Sequence, residues 1–306
     1  MESINEVTVI IRSVGERTEQ LCEKLILKQG IPHENLIIIN EKPFSKAMRV
    51  GYQLGIDKSL PLTYIIDADV LLREDAIIDM IKAIEKMPKN TLGISGSLLD
   101  KLFGKKRTAG NHLFKTTYLD RMIAEIKPYD EESIRPESTI INKLKNKGLF
   151  FKKNTAFIGL HDFEQDFRDI ARKSFTHSIK HAEYLSEFVS FWKSRRESDP
   201  DFEAALFGLS KGIIFHGCLK IDIKIFESMY DRVIKDFGEK SNEISAFDLQ
   251  SNEDVLTKME DPNNYFFPNK LLDERFEKIF RKKINEKNYV MLFKHIAGKF
   301  LLGLKP

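Results

Sequence analysis

The sequence predicts an α/β fold, with a mostly parallel sheet flanked by helices, followed by an α-helical C-terminal extension. Over the first hundred residues, short aliphatic and β-branched runs alternate with amphipathic segments. This alternation is typical of βαβ units, whose strands lie parallel and whose helices cover the sheet. From residue 162 onward, apolar residues recur at helical intervals of three and four. We therefore expect an α/β domain over 1–161 and a helical extension over 162–306.

Each element follows from its local residue pattern. The run Val7-Thr-Val-Ile-Ile-Arg12 is almost entirely apolar, as expected for a strand that is buried in a parallel sheet. Gly30 ends the first predicted helix, Pro43 begins the second and Pro88 ends the third. The predicted strands are 7–12, 36–40, 63–67, 91–97 and 149–158. The predicted helices are 16–29, 43–54, 74–87, 116–126, 137–147 and 161–196, with two more inside 201–237.

Composition excludes several classes of protein. The chain has 306 residues, of which 42% are hydrophobic and 31% are charged, so it can bury a core and is not disordered. Its two cysteines, Cys22 and Cys218, lie far apart, which argues against a disulfide scaffold or a structural zinc site. The acidic start MESINEV is unlike a signal peptide, and no apolar run is long enough to span a bilayer.

The net charge of +3 is unevenly distributed. Residues 269–306 contain ten basic and four acidic side chains, so the rest of the chain is slightly acidic and does not have the charge of a nucleic-acid binder. The segment 281–304 combines basic residues with an apolar helical stripe. This pattern predicts a helix that binds a membrane surface or a partner, and the alternative is that it docks on the core.

The acidic pair Asp67-Ala-Asp69 follows a predicted buried strand. Residues i and i+2 of a strand share a face, so we expect both carboxylates to emerge at the edge where open α/β sheets bind ligands. Two adjacent carboxylates repel unless a cation neutralises them, and Mg²⁺ or Mn²⁺ would do so. The structural alternative is a turn in which an aspartate caps the following helix.

Two further residues are candidates for chemistry. Glu137 lies at a predicted helix start, where a carboxylate is either a general base or simply a favourable N-terminal charge. His161 follows a strand-like run and is beside Asp162, which suits a metal ligand, although a single histidine is more often structural. The His177–His181 pair has i, i+4 spacing, and we interpret it as a surface or interdomain face because no acid accompanies it as in zinc proteases.

Several polar residues follow the first two strands, where a nucleotide usually lies in such folds. Arg12, Ser13 and Glu16 come directly after the first strand, with Arg17 next to them. Lys46 and Arg49 lie on the next predicted helix and are candidates for reaching a phosphate. Each signal is weak alone, because solvated basic residues are common on helices.

Taken in order, these features in the first 160 residues resemble a bacterial GT-A glycosyltransferase of family 2. The resemblance rests on the segments VTVIIRS with GER, PFSKAMRVGYQLG, YIIDADVLL, GNHLFKTTYL and RPESTIINKLKNKG, followed by His161. Three details depart from the family pattern. The second strand ends in Asn40-Glu41 instead of an aspartate, the Glu-Asp pair is Glu137-Ser138, and the following helix offers Lys143 or Lys145 where an arginine is usual.

The resemblance implies a role for each matching residue. Asp67 and Asp69 would be the DxD carboxylates and would bind Mn²⁺ or Mg²⁺ together with His161. Glu137 would be the catalytic base. Arg12, Ser13, Glu16 and Asp67 would bind the donor, with Lys46 and Arg49 near its phosphates. Gly110, Asn111 and His112 would lie on the acceptor side.

The resemblance also implies a reaction and its partners. The expected activity is metal-dependent, inverting transfer of a sugar from a nucleotide-sugar donor to a glycan or lipid-linked glycan, in bacterial surface polysaccharide assembly. The expected location is the cytoplasm, peripheral on the inner face of the membrane where 281–304 binds it. The helices inside 201–237 are expected to cover the acceptor side or to form a homodimer face.

Three other functions are alternatives to the glycosyltransferase. A haloacid-dehalogenase-like phosphatase also places DxD after a strand, but its later lysine and acidic motif are not found. A sugar nucleotidyltransferase needs a glycine-rich N-terminal loop, and Ser13-Val-Gly15 is too short a match. A non-catalytic scaffold related to glycosyltransferases would not need to retain Asp67, Asp69, Glu137 and His161 together.

Overall fold

The computed structural model describes residues 3–108, 110–127, 136–153, 155–216, 225–240 and 244. Within these ranges the strands are β1 (Val7–Arg12), β2 (Leu36–Ile39), β3 (Leu62–Asp67), β4 (Val70–Leu72), β5 (Thr91–Ile94), β6 (Ser97–Asp100), β7 (Lys105–Arg107), β8 (Asn111–Lys115), β9 (Phe150–Lys152) and β10 (Phe157–His161). The helices are α1 (Glu19–Leu27), α2 (Phe44–Lys58), α3 (Ala76–Glu85), α4 (Leu119–Glu125), α5 (Pro136–Asn146), α6 (Phe167–Lys180), α7 (Leu185–Arg195), α8 (Asp201–Ile213) and α9 (Ile225–Phe237).

A six-stranded sheet forms the centre of the fold, in the order β2-β1-β3-β8-β5-β9. β1 pairs in parallel with β2 and β3, and β5 pairs in parallel with β9. β8 is antiparallel to both of its neighbours, β3 and β5. The predicted class, α/β with a mostly parallel sheet flanked by helices, is therefore confirmed. The antiparallel strand β8 was missing from the prediction, because 110–119 was interpreted only as an acceptor-side segment.

The fold has a second sheet of four strands, in the order β4-β10-β6-β7. The sequence analysis predicted only one sheet. The predicted strand 91–97 was wrong, because the chain leaves the central sheet after β5 and enters the second sheet at β6. Gly96 lies at this crossing, and a side chain there would overlap Ile158. The predicted strand 149–158 divides in the same way into β9 and β10, one in each sheet.

The central sheet is buried on both faces. On one face, Val9 and Ile11 of β1 pack in a cluster with α1 and α3, and on the other face Ile10 packs in a cluster with α2, α4 and α5. β1 does not alternate apolar and polar residues, because the side chains on both of its faces lie in a core.

The first three helices that follow β10, α6 to α8, pack on the second sheet. Phe163, Ile170 and Trp192 share one apolar cluster with Leu71 of β4 and Leu99 of β6. The predicted single helix 161–196 was wrong, because the chain forms α6 and α7 with a short 3₁₀ turn, Ala182–Tyr184, between them. No glycine or proline marks this break, so local sequence does not show it. The boundary between 161 and 162 stays a prediction.

The predicted membrane-binding or partner-binding helix, 281–304, lies outside the described residues. Among the described helices, none is both long enough and apolar enough to cross a membrane.

Candidate active site

The two longest parallel strands bring Arg12 and Asp67 together at one edge of the central sheet. β1 lies between β2 and β3, and the helices of the successive connections, α1 from β1 to β2 and α2 from β2 to β3, cover opposite faces of the sheet. The carboxyl edge at such a change of direction is where open α/β sheets bind ligands. Arg12 and Asp67 are the last residues of β1 and β3 and lie directly opposite one another in the register.

A buried network of polar side chains surrounds Arg12. Its Nε donates to Asp67 Oδ1 at 2.8 Å, and its Nη1 and Nη2 donate to the two carboxylate oxygens of Glu137 at 3.1 and 3.3 Å. The Tyr52 hydroxyl donates to Glu137 Oε1 at 2.9 Å. His112 Nδ1 lies 3.3 Å from Glu137 Oε2. These five residues are called the Arg12 network below.

Electrostatics within the Arg12 network fix the charge of Glu137. Burial alone would raise the pKa of Glu137, but the Arg12 guanidinium, His112 and the hydrogen bond from Tyr52 lower the pKa to about 2. Burial raises the pKa of Asp67 despite Arg12, with the Asp69 charge adding to the rise. Burial lowers the pKa of His112 despite Glu137. Glu137 is therefore an anion whose two oxygens are both held by donors.

The lowered pKa of Glu137 bears on its predicted role as the catalytic base. A general base works best when its pKa is near the working pH, so a carboxylate with a pKa of about 2 is a weak base. The catalytic-base role of Glu137 stays a prediction that its surroundings do not favour. In the structure, the two carboxylate oxygens of Glu137 accept hydrogen bonds from the Arg12 guanidinium, and this bidentate pair fixes the orientation of the guanidinium.

Gly110 closes over the same edge. Its carbonyl accepts a hydrogen bond from the Asp67 amide at 2.8 Å, and its φ of +53° is one that glycine adopts readily. A Cβ at this position would lie 2.6 Å from Asp67 Oδ2. Of the three residues predicted for the acceptor side, Gly110 thus contacts Asp67 and His112 belongs to the Arg12 network. Asn111 is buried, and its Oδ1 accepts from the Gly96 amide at 2.8 Å.

Asp69 does not share a network with Asp67. The strand ends at Asp67, and Ala68 and Asp69 form a turn before β4 begins, so the same-face rule for strands does not apply to the pair. The two carboxylates therefore bond to different partners, and their joint binding of an ion stays a prediction. Asp69 turns toward β10 and α6, and its carboxylate accepts a hydrogen bond from Lys173.

A second buried network surrounds Lys173 of α6. Its ammonium donates to both Asp69 Oδ2 and Asp162 Oδ1. His161 Nε2 lies 3.5 Å from Asp69 Oδ1, and His161 Nδ1 donates to Asp100 Oδ2 at 3.0 Å and lies 3.1 Å from Asp162 Oδ2. These five residues are called the Lys173 network below. The three acids are almost fully buried, so each carboxylate depends on these partners.

The Lys173 network contains a group of metal-ligating atoms. One ligand atom each from Asp69, His161 and Asp162 lie within 4.8 Å of one another. His161 directs Nε2 toward Asp69 while Nδ1 bonds Asp100, which is the orientation that a carboxylate gives to a metal-binding histidine. The two carboxylates suit Mn²⁺ or Mg²⁺, and the imidazole favours the transition metal Mn²⁺ over Mg²⁺. The donor set therefore fits the predicted ion, although Lys173 lies against both carboxylates.

The predicted metal ligands thus meet only in part. Asp69 and His161 lie in the group, whereas Asp67 lies outside it, because it pairs with Arg12. Asp162 takes the third place. Its φ of +64° is uncommon for a residue with a side chain, and the Lys173 and His161 partners hold the carboxylate there.

The remaining predicted donor residues have separate positions. Ser13 and Glu16 close a turn after β1, where the Ser13 hydroxyl and the Val14 amide donate to Glu16 Oε2 at 3.0 and 2.7 Å. Burial and the charge of Asp69 raise the pKa of Glu16. Lys46 pairs with Glu41 at 2.7 Å, and Arg49 donates to the Ile126 carbonyl at 3.3 Å. Lys46 and Arg49 therefore bond outside both networks.

Four residues of the networks had no assigned role in the sequence analysis. Asp100 ends β6 in Leu98-Leu-Asp100, as Asp67 ends β3, so the same strand-end signal could have found it. Asp162 is adjacent to His161. Tyr52 and Lys173 lie on helices, and no local pattern distinguishes them from their neighbours.

The His177–His181 pair packs against an aromatic side chain. Both rings lie edge-on against Phe103, with centroids 4.8 and 5.2 Å away. Burial and the charge of Arg107 lower the pKa of His177 well below its usual value.

Several solved protein structures are similar to this chain. No protein-family model matches the sequence, and no curated protein matches it. The chain is similar to a glycosyltransferase involved in the glycosylation of the major capsid of PBCV-1, at 12% identity and a TM-score of 0.36, over 48% of this chain and 81% of the other. It is also similar to the mannosyltransferase PcManGT from Pyrobaculum calidifontis in complex with GDP-Man and Mn²⁺, at 12% identity and a TM-score of 0.42, over 98% and 88%.

Proposed function

We propose that this protein is a GT-A glycosyltransferase that moves a sugar from a nucleotide-sugar donor to a hydroxyl of a glycan or lipid-linked glycan. The observation that carries the proposal is the Asp69, His161 and Asp162 group, in which Asp69 lies two residues after Asp67, the partner of Arg12 at the switch-point edge of the parallel sheet. A nucleoside diphosphate needs cationic partners for its phosphates, and this edge brings metal-ligating groups and a fixed guanidinium together.

The Lys173 network and the Arg12 network would have different roles in the reaction. Asp69, His161 and Asp162 would hold a divalent ion, which would offset the negative charge that develops on the diphosphate leaving group. Arg12 uses three of its five N–H donors on Asp67 and Glu137, and its guanidinium stacks 4.8 Å from the centre of the Phe44 ring. Tyr52 and Glu137 keep it in that plane. Ser13 and Glu16 would line the nucleotide at the end of β1.

The finer features of the proposal are supported by the sequence alone. The order of the family-like segments supports the family 2 assignment, an inverting reaction and a role in bacterial polysaccharide assembly. The basic stripe at 281–304 supports attachment to the inner face of the membrane. Gly110 and His112, which border Asp67 and Glu137, are the residues proposed to face the acceptor.

One observation disfavours the phosphatase alternative. That reaction needs the first aspartate of the pair as a free nucleophile. Asp67 instead accepts a hydrogen bond from Arg12 and lies against Gly110. The scaffold alternative predicts nucleotide binding without turnover.

The test is release of nucleoside phosphate from a panel of UDP-, GDP-, CMP- and dTDP-sugars with Mn²⁺, followed by chromatography. We expect slow hydrolysis of one donor without any acceptor, and loss of that release in Asp69→Asn. The matched control is Asp236→Asn on α9, which changes a part-exposed aspartate that pairs only with Arg232 among the described contacts. Release of inorganic phosphate from sugar phosphates, with no nucleotide released, would instead support the phosphatase.

A further inference from the structure

The ammonium of Lys173 lies where two of the metal-ligating carboxylates meet. Lys173 comes from α6, within the predicted helical extension, and its side chain is 13% exposed. It pairs with Asp69 Oδ2 and Asp162 Oδ1, so one cation bridges two of the three members of the metal group.

The surrounding charges are already balanced by the chain itself. The acids Asp69, Asp100 and Asp162 face Lys173 and His161, and Arg107 Nη1 lies 3.4 Å from Asp100 Oδ2. An acidic site prepared only for a divalent ion would hold like charges without a counterion, which is costly when they are buried. Here a side-chain ammonium supplies the counterion.

We propose that Lys173 and a divalent metal ion bind Asp69 and Asp162 in turn, so that the metal enters only when the Lys173 ammonium leaves. The inference rests on the proposed function for the identity of the site. A divalent ion bound to these carboxylates would lie within a few ångströms of the ammonium, and two buried cations that close repel each other strongly. A lysine suits the exchange, because its charge is compact and its four-carbon chain is flexible.

A titration with Mn²⁺ alone tests this exclusion without any donor or acceptor. Free Mn²⁺ is measured by electron paramagnetic resonance on wild type, Lys173→Met and the control Lys211→Met, which removes the same charge from an exposed position on α8. We expect Lys173→Met to bind Mn²⁺ at least tenfold more tightly than wild type, and Lys211→Met to match wild type. Equal or weaker binding by Lys173→Met would overturn the proposal.

A second measurement uses wild type and so does not depend on whether the variant folds. Amine-reactive labelling with mass spectrometry reports the exposure of each lysine, with and without saturating Mg²⁺. We expect the labelling rate of Lys173 to rise severalfold on addition of Mg²⁺, while that of Lys211 does not change. Bound Mg²⁺ with no rise at Lys173 would contradict the exchange.

Failure of this proposal can be distinguished from failure of the proposed function. No Mn²⁺ binding to either wild type or Lys173→Met would overturn the exchange. Release of nucleoside phosphate from a nucleotide sugar, measured separately without metal, would then show that the transferase proposal survives as a metal-independent enzyme.

Discussion

Asp67 and Asp69 are two residues apart, yet they belong to two buried networks built around different cations. In the Arg12 network, a planar guanidinium makes three directed bonds to Asp67 and Glu137. In the Lys173 network, a single ammonium bridges Asp69 and Asp162. The difference shows that the Arg12 network is the more rigid one. A planar guanidinium with three directed hydrogen bonds is fixed in orientation, whereas an ammonium on a flexible side chain can be exchanged.

Removal of each central cation gives the largest expected effect and is the sharpest comparison of the two networks. Arg12→Met leaves Asp67 and Glu137 buried without a partner, and Lys173→Met does the same to Asp69 and Asp162. We expect each change to lower the free energy of unfolding by about 3–5 kcal/mol, measured by urea denaturation. Addition of Mn²⁺ should restore Lys173→Met and leave Arg12→Met unchanged, because only the Lys173 network has a group of metal ligands.

The control for this pair is Arg232→Met, which removes an exposed ion pair with Asp236. It should change the free energy of unfolding by less than about 1 kcal/mol. Equal rescue of both central variants by Mn²⁺ would break the distinction between the networks.

The next largest effect is the pH dependence that Glu137 gives to stability. Its pKa is lowered from the ordinary value of 4.5 to about 2, so the unfolded chain takes up the proton first as the pH falls. The stabilisation is complete above pH 4.5 and is lost as the pH falls toward 2. Between pH 6 and pH 3, Glu137→Gln should lose about 2 kcal/mol less than wild type in the free energy of unfolding. The exposed control Glu227→Gln on α9 should follow wild type, and a wild-type slope in Glu137→Gln would contradict this assignment.

The smallest expected effect isolates the contact between Gly110 and Asp67. Gly110 and Gly148 both have positive φ, of +53° and +88°, but a Cβ would meet Asp67 only at Gly110, and nothing within 4 Å at Gly148. Both alanine variants should cost about 1 kcal/mol in backbone strain. Gly110→Ala should lower the free energy of unfolding, measured by urea denaturation, by about 1–2 kcal/mol more than Gly148→Ala. It should also weaken donor binding. Equal losses in the two variants would show that the contact with Asp67 contributes no stability.

Much of the fold was predictable because its signals are local. The apolar run of β1, the strand that ends at Asp67 and the helix start at Glu137 were all visible as patterns. The division of 91–97 between two sheets was not, since it depends on the crossing at Gly96. The break before α7 was not predictable either, because no residue there is a helix breaker.

The site was predictable as a set of strand-end acids and not as two networks. Asp69 was found, but its separation from Asp67 arises in the turn after β3. Lys173 lies more than a hundred residues after Asp69 in sequence, and only the packing of α6 brings it there. Long-range ion pairs of this kind leave no periodic signal for a single sequence to show.

The most direct test of the central claim is a thermal-shift screen of wild type and Asp69→Asn against UDP-, GDP-, CMP- and dTDP-sugars, with and without Mn²⁺. A ligand that binds only the folded chain raises its melting temperature, so no acceptor is needed. We expect one nucleotide to raise the melting temperature of wild type in the presence of Mn²⁺, and Asp69→Asn to lose that rise. No rise with any nucleotide sugar, with or without Mn²⁺, would contradict the proposal that this edge of the sheet is a nucleotide-sugar site.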